Sequence, residues 1–226
     1  MPQLALLLTT LIWAATFPAT KLALEQVLPF SFLLLRFLLG TLAVGIVFVC
    51  LRHPLRCDAP TLRMAAIASA FLFVGYVTQT VGLRYTTASN SAFITALYVV
   101  LVPLFLKRFD ARLWTALALA VAGLWLLIRP SADMQVGDLY TLAAAVAFAL
   151  HIIVVETYAR RSDFASVSAW QLVMVTGVLV APAVAEGYRP GAIEFTSVLV
   201  WALGITGVGA TARAVFVQVW AQRYVP

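Results

Sequence analysis

The chain has 226 residues, 63% of them hydrophobic and 11% charged, with a net charge of +6 at pH 7. Soluble domains carry about 25% charged residues, and a water-soluble fold has no means of hiding this much apolar surface, so lipid is the solvent for most of the chain. The positive balance does not imply nucleic acid, because the basic residues sit in ones and twos between apolar runs and form no stripe.

Eight apolar runs follow one another, each to be compared with the roughly 20 residues that a membrane helix needs. The first, residues 4–24, is longer than the apolar core of a signal peptide, and Met1-Pro2-Gln3 lacks the positive segment that precedes one. It is read as an uncleaved membrane helix. Within it Thr9, Trp13, Thr16 and Thr20 share a face, and Pro18 removes a backbone donor.

The second run, residues 29–51, carries Arg36 about 10 Å from its start at the rise of an α-helix. Such an arginine binds a ligand, pairs with Glu25, or snorkels to the outer interface. Cys50 and Cys57, the only cysteines, suit neither a disulfide framework nor a metal site and are read as free cytoplasmic thiols. The third run, 62–83, places Tyr76 and Gln79 on one face. The fourth, 88–106, opens on Ser89, Asn90 and Ser91 and continues to Thr95 and Tyr98. The fifth, 113–128, is the shortest, and the turn 129–133 follows it.

The sixth run, 137–156, holds His151 near its middle and Glu156 near its end. A histidine titrates near neutral pH and suits proton coupling, or it hydrogen-bonds as a packing residue. The seventh run is 165–185. The eighth, 198–222, has Arg213 near its middle, where a guanidinium binds a substrate carboxylate or phosphate, or pairs with a carboxylate such as Glu156. Charged groups at such depth are costly and mark pathways or structural pairs.

Short connections make the spans alternate in direction. With the N-terminus in the cytoplasm, Arg52, Arg56, Arg63, Lys107, Arg108, Arg112, Arg160, Arg161 and Arg223 face inward, against Lys21, Arg84, Arg129 and Arg189 outward. That is the bias of cytoplasmic loops. Gln79, Arg84 and Tyr85 recur as Gln218, Arg223 and Tyr224, each 139 residues on. The copies lie in the third and eighth spans, which this topology runs in opposite directions. Two inverted halves result, residues 1–128 and 137–226, an arrangement suited to alternating access around a midplane site.

The segments LIWAATFPATKLAL (11–24), LLLRFLLG (33–40), GLRYTTASNSAFITALYVVLVPLF (82–105), ALALAVAGLWLLI (116–128) and VQVWAQRYVP (217–226) resemble the EamA-type transporters of the drug/metabolite transporter superfamily. The resemblance covers essentially the whole chain and is most specific from Tyr85 to Phe105. It implies an all-α membrane protein of ten helices in two inverted five-helix halves, with both termini cytoplasmic and a central cavity. It also implies movement of small metabolites or amino acids, most often outward. The chain departs from that pattern in holding eight spans, so that the last two helices are missing from the second half. In addition, the fourth span runs only three residues past Pro103 before Lys107.

The expected substrate-binding residues are Trp13, Tyr76, Gln79, Tyr98, His151, Arg213 and Gln218, in an integral protein of the cytoplasmic (inner) membrane. The expected partners are lipid and a small-molecule substrate, with room for a homodimer and no cofactor. The alternatives are a non-transporting membrane sensor or structural subunit, and a membrane acyltransferase. The last would use His53 and Asp58 as base and orienting acid, but Pro54 interrupts their spacing. No Gly-rich phosphate loop, metal-spaced cluster or G-x-S-x-G elbow is present.

Overall fold

The computed structural model describes residues 2–128, 133–159 and 163–212. All regular structure among them is helical: α1 (Pro2–Ala23), α2 (Pro29–Cys50), α3 (Ala59–Arg84), α4 (Ala88–Ala96), α5 (Tyr98–Phe105), α6 (Ala111–Ile128), α7 (Val136–Ala159), α8 (Phe164–Ala185) and α9 (Ser197–Leu203), which continues as a π-helical segment (Gly204–Ala212). Helices are what lipid demands, since they satisfy every backbone N–H and C=O within the segment. Among the described residues, five stretches are long and apolar enough to cross a bilayer, namely Pro29–Cys50, Ala59–Arg84, Ala88–Phe105, Val136–Thr157 and Phe164–Ala185. The apolar stretches Ala111–Leu126 and Ser197–Thr211 are shorter.

Two of the expected continuous spans are interrupted. The fourth divides at Leu97, whose N–H reaches only three residues back to the Ile94 carbonyl, at 3.1 Å. Pro103, six residues on, lies inside the second piece and has no N–H to donate to the carbonyl four residues back. The eighth changes helical type at Gly204.

The contacts group into two compact units, Met1–Ala70 with Tyr158–Pro226, and Phe71–Thr157. In the first, α2 and α8 lie antiparallel and are tied at both ends and in the middle. Leu28 precedes α2 and offers no side-chain cap, and Pro29 follows it. The next donors therefore look elsewhere: the N–H groups of Phe30 and Ser31 donate to Glu186 Oε2 at 2.9 and 3.0 Å. Midway, the Thr41 and Thr176 hydroxyls are 2.9 Å apart. At the far end the Arg56 N–H donates to Ser166 Oγ at 2.9 Å, and the Trp170 indole donates to the Arg56 carbonyl at 3.0 Å. Phe32, Leu33 and Phe37 are fully buried between these ties.

The first turns of α3 pack on α8 through Met64, Ala65 and Val167, flanked by Trp170 and Met174. α1 packs against α9 and the π-helical segment, and the Thr196 hydroxyl donates to the Gln26 side-chain carbonyl.

In the second unit α3 and α7 approach backbone to backbone. A Cβ on Gly137 would lie 2.6 Å from the Tyr85 carbonyl carbon and 2.7 Å from the Thr86 nitrogen, and one on Gly82 would lie 2.8 Å from the Gly137 oxygen. Only glycine fits such a contact, a common solution where lipid gives helices no hydrophobic reason to associate. α4 packs against α6.

Candidate functional site

The second unit gathers polar side chains inside its apolar spans. Gln79 on α3, 9% exposed, donates its Nε2–H to Thr95 Oγ1 on α4 at 3.1 Å. A primary amide carries two donors and an acceptor, so one bond to Thr95 uses part of that capacity. Tyr76 stands one helical turn before Gln79 on the same face, half-buried, with its ring edge-on to Phe148 of α7 at 5.2 Å. His151, also half-buried, follows Phe148 by three residues on α7. Tyr98 is half-buried and begins α5 directly after the break at Leu97.

A second polar layer lies toward the start of α7. The Thr86 hydroxyl donates to Asp138 Oδ1, and Asp138 Oδ2 accepts the Gln135 N–H at 2.9 Å. Thr141 donates to the Gly137 carbonyl at 2.9 Å, which uses its one hydrogen, so at 3.3 Å Ser91 is the donor to Thr141. Asp138 is 7% exposed. Its carboxylate sits in the first turn of α7, where the helix dipole favours negative charge. Asp138 is not among the site residues expected from the sequence. The available signal was its spacing of three from Gln135, half of a capping box.

In the first unit Trp13 is 46% exposed, and its indole N–H points at the Ala210 carbonyl from 3.5 Å, long for an N–H···O bond. The Thr16 hydroxyl turns back to the Trp13 carbonyl at 2.6 Å, and Thr20 is buried. Arg213 and Gln218 lie outside the described residues, as do Arg223 and Tyr224.

Arg36 corrects one expectation. It does not snorkel to the outer interface but is 3% exposed, with its guanidinium carbon 5.9 Å from the centre of the Phe37 ring. α2 presses there against the π-helical segment, closely enough that a Cβ on Gly207 would lie 2.9 Å from the Arg36 carbonyl oxygen.

His53 and Asp58 serve local structure. His53 Nδ1 is 3.1 Å from the Pro54 carbonyl, and its ring stands edge-on to Phe48 at 5.1 Å. Asp58 Oδ1 accepts the Thr61 N–H at 2.9 Å and so caps α3. That bond, with a smaller contribution from the nearby Arg56 charge, holds the Asp58 carboxyl below its usual range. Both cysteines are free and exposed.

Apolar helices of spanning length, with amide and hydroxyl groups paired inside them, are the construction of an integral membrane protein. Residues 1–129 match the EamA-like transporter family. An uncharacterized transporter of Archaeoglobus fulgidus is 34% identical over 227 residues, an alignment spanning 98% of this chain and 70% of the relative. The uncharacterized transporter YoaV of Bacillus subtilis is 22% identical over 229 residues, covering 96% and 78%. A solved structure described only as the crystal structure of a protein superposes with a TM-score of 0.72 at 18% identity, over 96% of this chain and 77% of that one. The chain belongs to the EamA-like transporter family.

Proposed function

We propose that this protein is a secondary transporter of the cytoplasmic membrane that carries small metabolites or amino acids outward by alternating access, with its N-terminus in the cytoplasm. The observation that carries the reading is the Gln79–Thr95 pair, an amide and a hydroxyl held together inside two apolar spans. Polar groups at that depth are expensive and mark substrate paths. Tyr76, Tyr98 and His151 supply further aromatic and polar surface in the same unit; the sequence adds Trp13, Arg213 and Gln218 as expected substrate contacts of the other unit. Arg213 gives the site a preference for carboxylates, because a cation in a low-dielectric interior is poorly screened.

Helix directions favour inverted halves. α8 is antiparallel to α2, and α3 runs alongside α8 in the same sense, as the pairs Met64–Val167 and Ser69–Met174 indicate. The eighth span likewise runs with α2, with Gly207 beside Arg36 and Leu39. The third and eighth spans thus oppose each other, as two inverted copies require.

The test is flux in reconstituted vesicles over a panel of labelled amino acids and organic acids. Gln79→Ala is expected to lower flux at least about tenfold, which corresponds to the loss of one strong polar contact. Thr95→Val is expected to lower it less, since the amide survives. Full flux from a well-folded Gln79→Ala protein removes the pair from the site. A parent that moves no member of the panel in either direction favours the sensor or structural-subunit reading.

A further inference from the structure

We infer that the π-helical segment Gly204–Ala212 holds one residue more than the matching stretch of α3, and that this insertion is the residue by which the repeat spacing grows from 138 to 139 before Gln218. The inference rests on the reading of the chain as two inverted copies.

Cap geometry sets the register at the start of the two helices. Asp58 caps α3 by accepting the Thr61 N–H at 2.9 Å, and Thr196 caps α9 by accepting the Leu199 N–H at 3.2 Å. Both caps reach three residues ahead, and the capping residues are 138 apart in sequence. Packing further along keeps that spacing. Ser69 Oγ on α3 touches Met174 Sδ on α8 at 3.8 Å. The residue 138 beyond Ser69 is Gly207. Leu39 stands at the place in α2 that Met174 holds in α8. A Cβ on Gly207 would lie 3.3 Å from Leu39 Cβ. The same contact is therefore made in both halves with the same offset.

Beyond Gly207 the offset changes. Gln79, Arg84 and Tyr85 recur as Gln218, Arg223 and Tyr224 at 139. One residue has been added between Gly207 and Gln218, and the described part of that stretch, as far as Ala212, is π-helical while α3 is α-helical throughout.

An extra residue in an α-helix rotates everything beyond it by about 100° and advances it about 1.5 Å. A π-helix bonds five residues back and holds more residues per turn, so it takes in the extra residue without that rotation. The hydroxyl bonds change along the segment: Thr206, near its start, donates four residues back to the Ala202 carbonyl of α9 at 2.7 Å, as Thr115, Thr157 and Thr176 do in α-helices, whereas Thr211 donates five back, to Thr206 at 3.0 Å. Gly204, Gly207 and Gly209 weaken the α-helical alternative. Helices rarely keep such a segment except where function retains it, and here it faces Trp13 on one side and leads to Gln218 on the other.

Two single deletions in the full-length protein test the inference. Val208 and Ala70 occupy matching positions, and both are exposed. Deleting Val208 is expected to let the segment close as an α-helix, leaving the melting temperature in detergent within about 4 °C of the parent. Deleting Ala70 is expected to turn the rest of α3, with Gly82 and Gln79, by about 100° and to lower melting by more than about 10 °C. Flux should follow the same order. Equal melting effects of the two deletions, whether mild or severe, overturn the inference. A parent without flux counts against the transport reading alone, because the melting comparison needs no transport.

Discussion

Thr41 and Thr176 hold the same place in two helices of equal length, the thirteenth of twenty-two residues, and their hydroxyls meet at 2.9 Å. Thr176 commits its hydrogen to the Leu172 carbonyl at 2.7 Å, so Thr41 donates across the interface. Interhelical hydrogen bonds in membrane proteins contribute about 0.6 kcal/mol on average. A double-mutant cycle of Thr41→Val and Thr176→Val, followed by reversible denaturation in detergent, should give a coupling energy of that order. A coupling indistinguishable from zero would leave apolar packing as the only tie at the middle of this helix pair.

Glu186 gives the same pair a stronger fastening. It accepts two backbone N–H groups of α2, and the Ser31 hydroxyl lies 3.4 Å from the same oxygen. Hydrogen bonds to charged groups contribute about 1.5–3 kcal/mol. Glu186→Ala should destabilise the protein by an amount in that range, and Glu186→Gln, which keeps an acceptor oxygen, by less. Equal losses from the two variants would argue against a capping role.

Asp58 makes the α3 cap sensitive to pH. Its carboxyl is held below its ordinary value of 3.8, chiefly by the Thr61 N–H. A depressed folded-state value means the carboxylate stabilises the fold fully above the unfolded value, and that support is lost as pH falls through the folded one. Melting temperatures of the parent and Asp58→Asn should differ most near neutral pH and converge below about pH 4. A constant gap down to pH 3 would contradict this assignment.

The helices were legible because a bilayer admits few alternatives: apolar runs of spanning length and charge-bearing connections mark each one. Gln79 and Tyr76 were legible for the same reason, as polar groups at helical spacing inside apolar sequence. The break at Leu97 and the π-helical segment were not, because local hydropathy does not depend on whether a helix bonds four or five residues back. Only the shift in repeat spacing from 138 to 139 carries a trace of the latter. The Glu186 cap joins residues 155 apart in sequence, beyond the reach of any local motif, although Leu28 and Pro29 at the start of α2 left donors that some distant group had to satisfy. The burial of Arg36 was not legible because its surroundings depend on the eighth span lying against α2.

The contact between α3 and α7 offers the sharpest steric test. Gly137 and Gly82 bring two backbones together where a Cβ has no room. The next residue, Asp138, bonds Thr86, and the Gly137 carbonyl accepts the Thr141 hydroxyl. Gly137→Ala must therefore part the helices and strain both bonds at once. Overpacking of this kind costs about 1–3 kcal/mol, and a melting temperature lowered by several degrees is expected. Gly45 on α2 is the control, since a Cβ there meets nothing within 4 Å. Gly45→Ala should be neutral or stabilising by up to about 1 kcal/mol, because alanine favours the helix interior. If Gly137→Ala melts with Gly45→Ala, the backbones are not in contact as described. If it melts lower but keeps flux, the α3–α7 contact supports the fold without shaping the site around Tyr76 and Gln79.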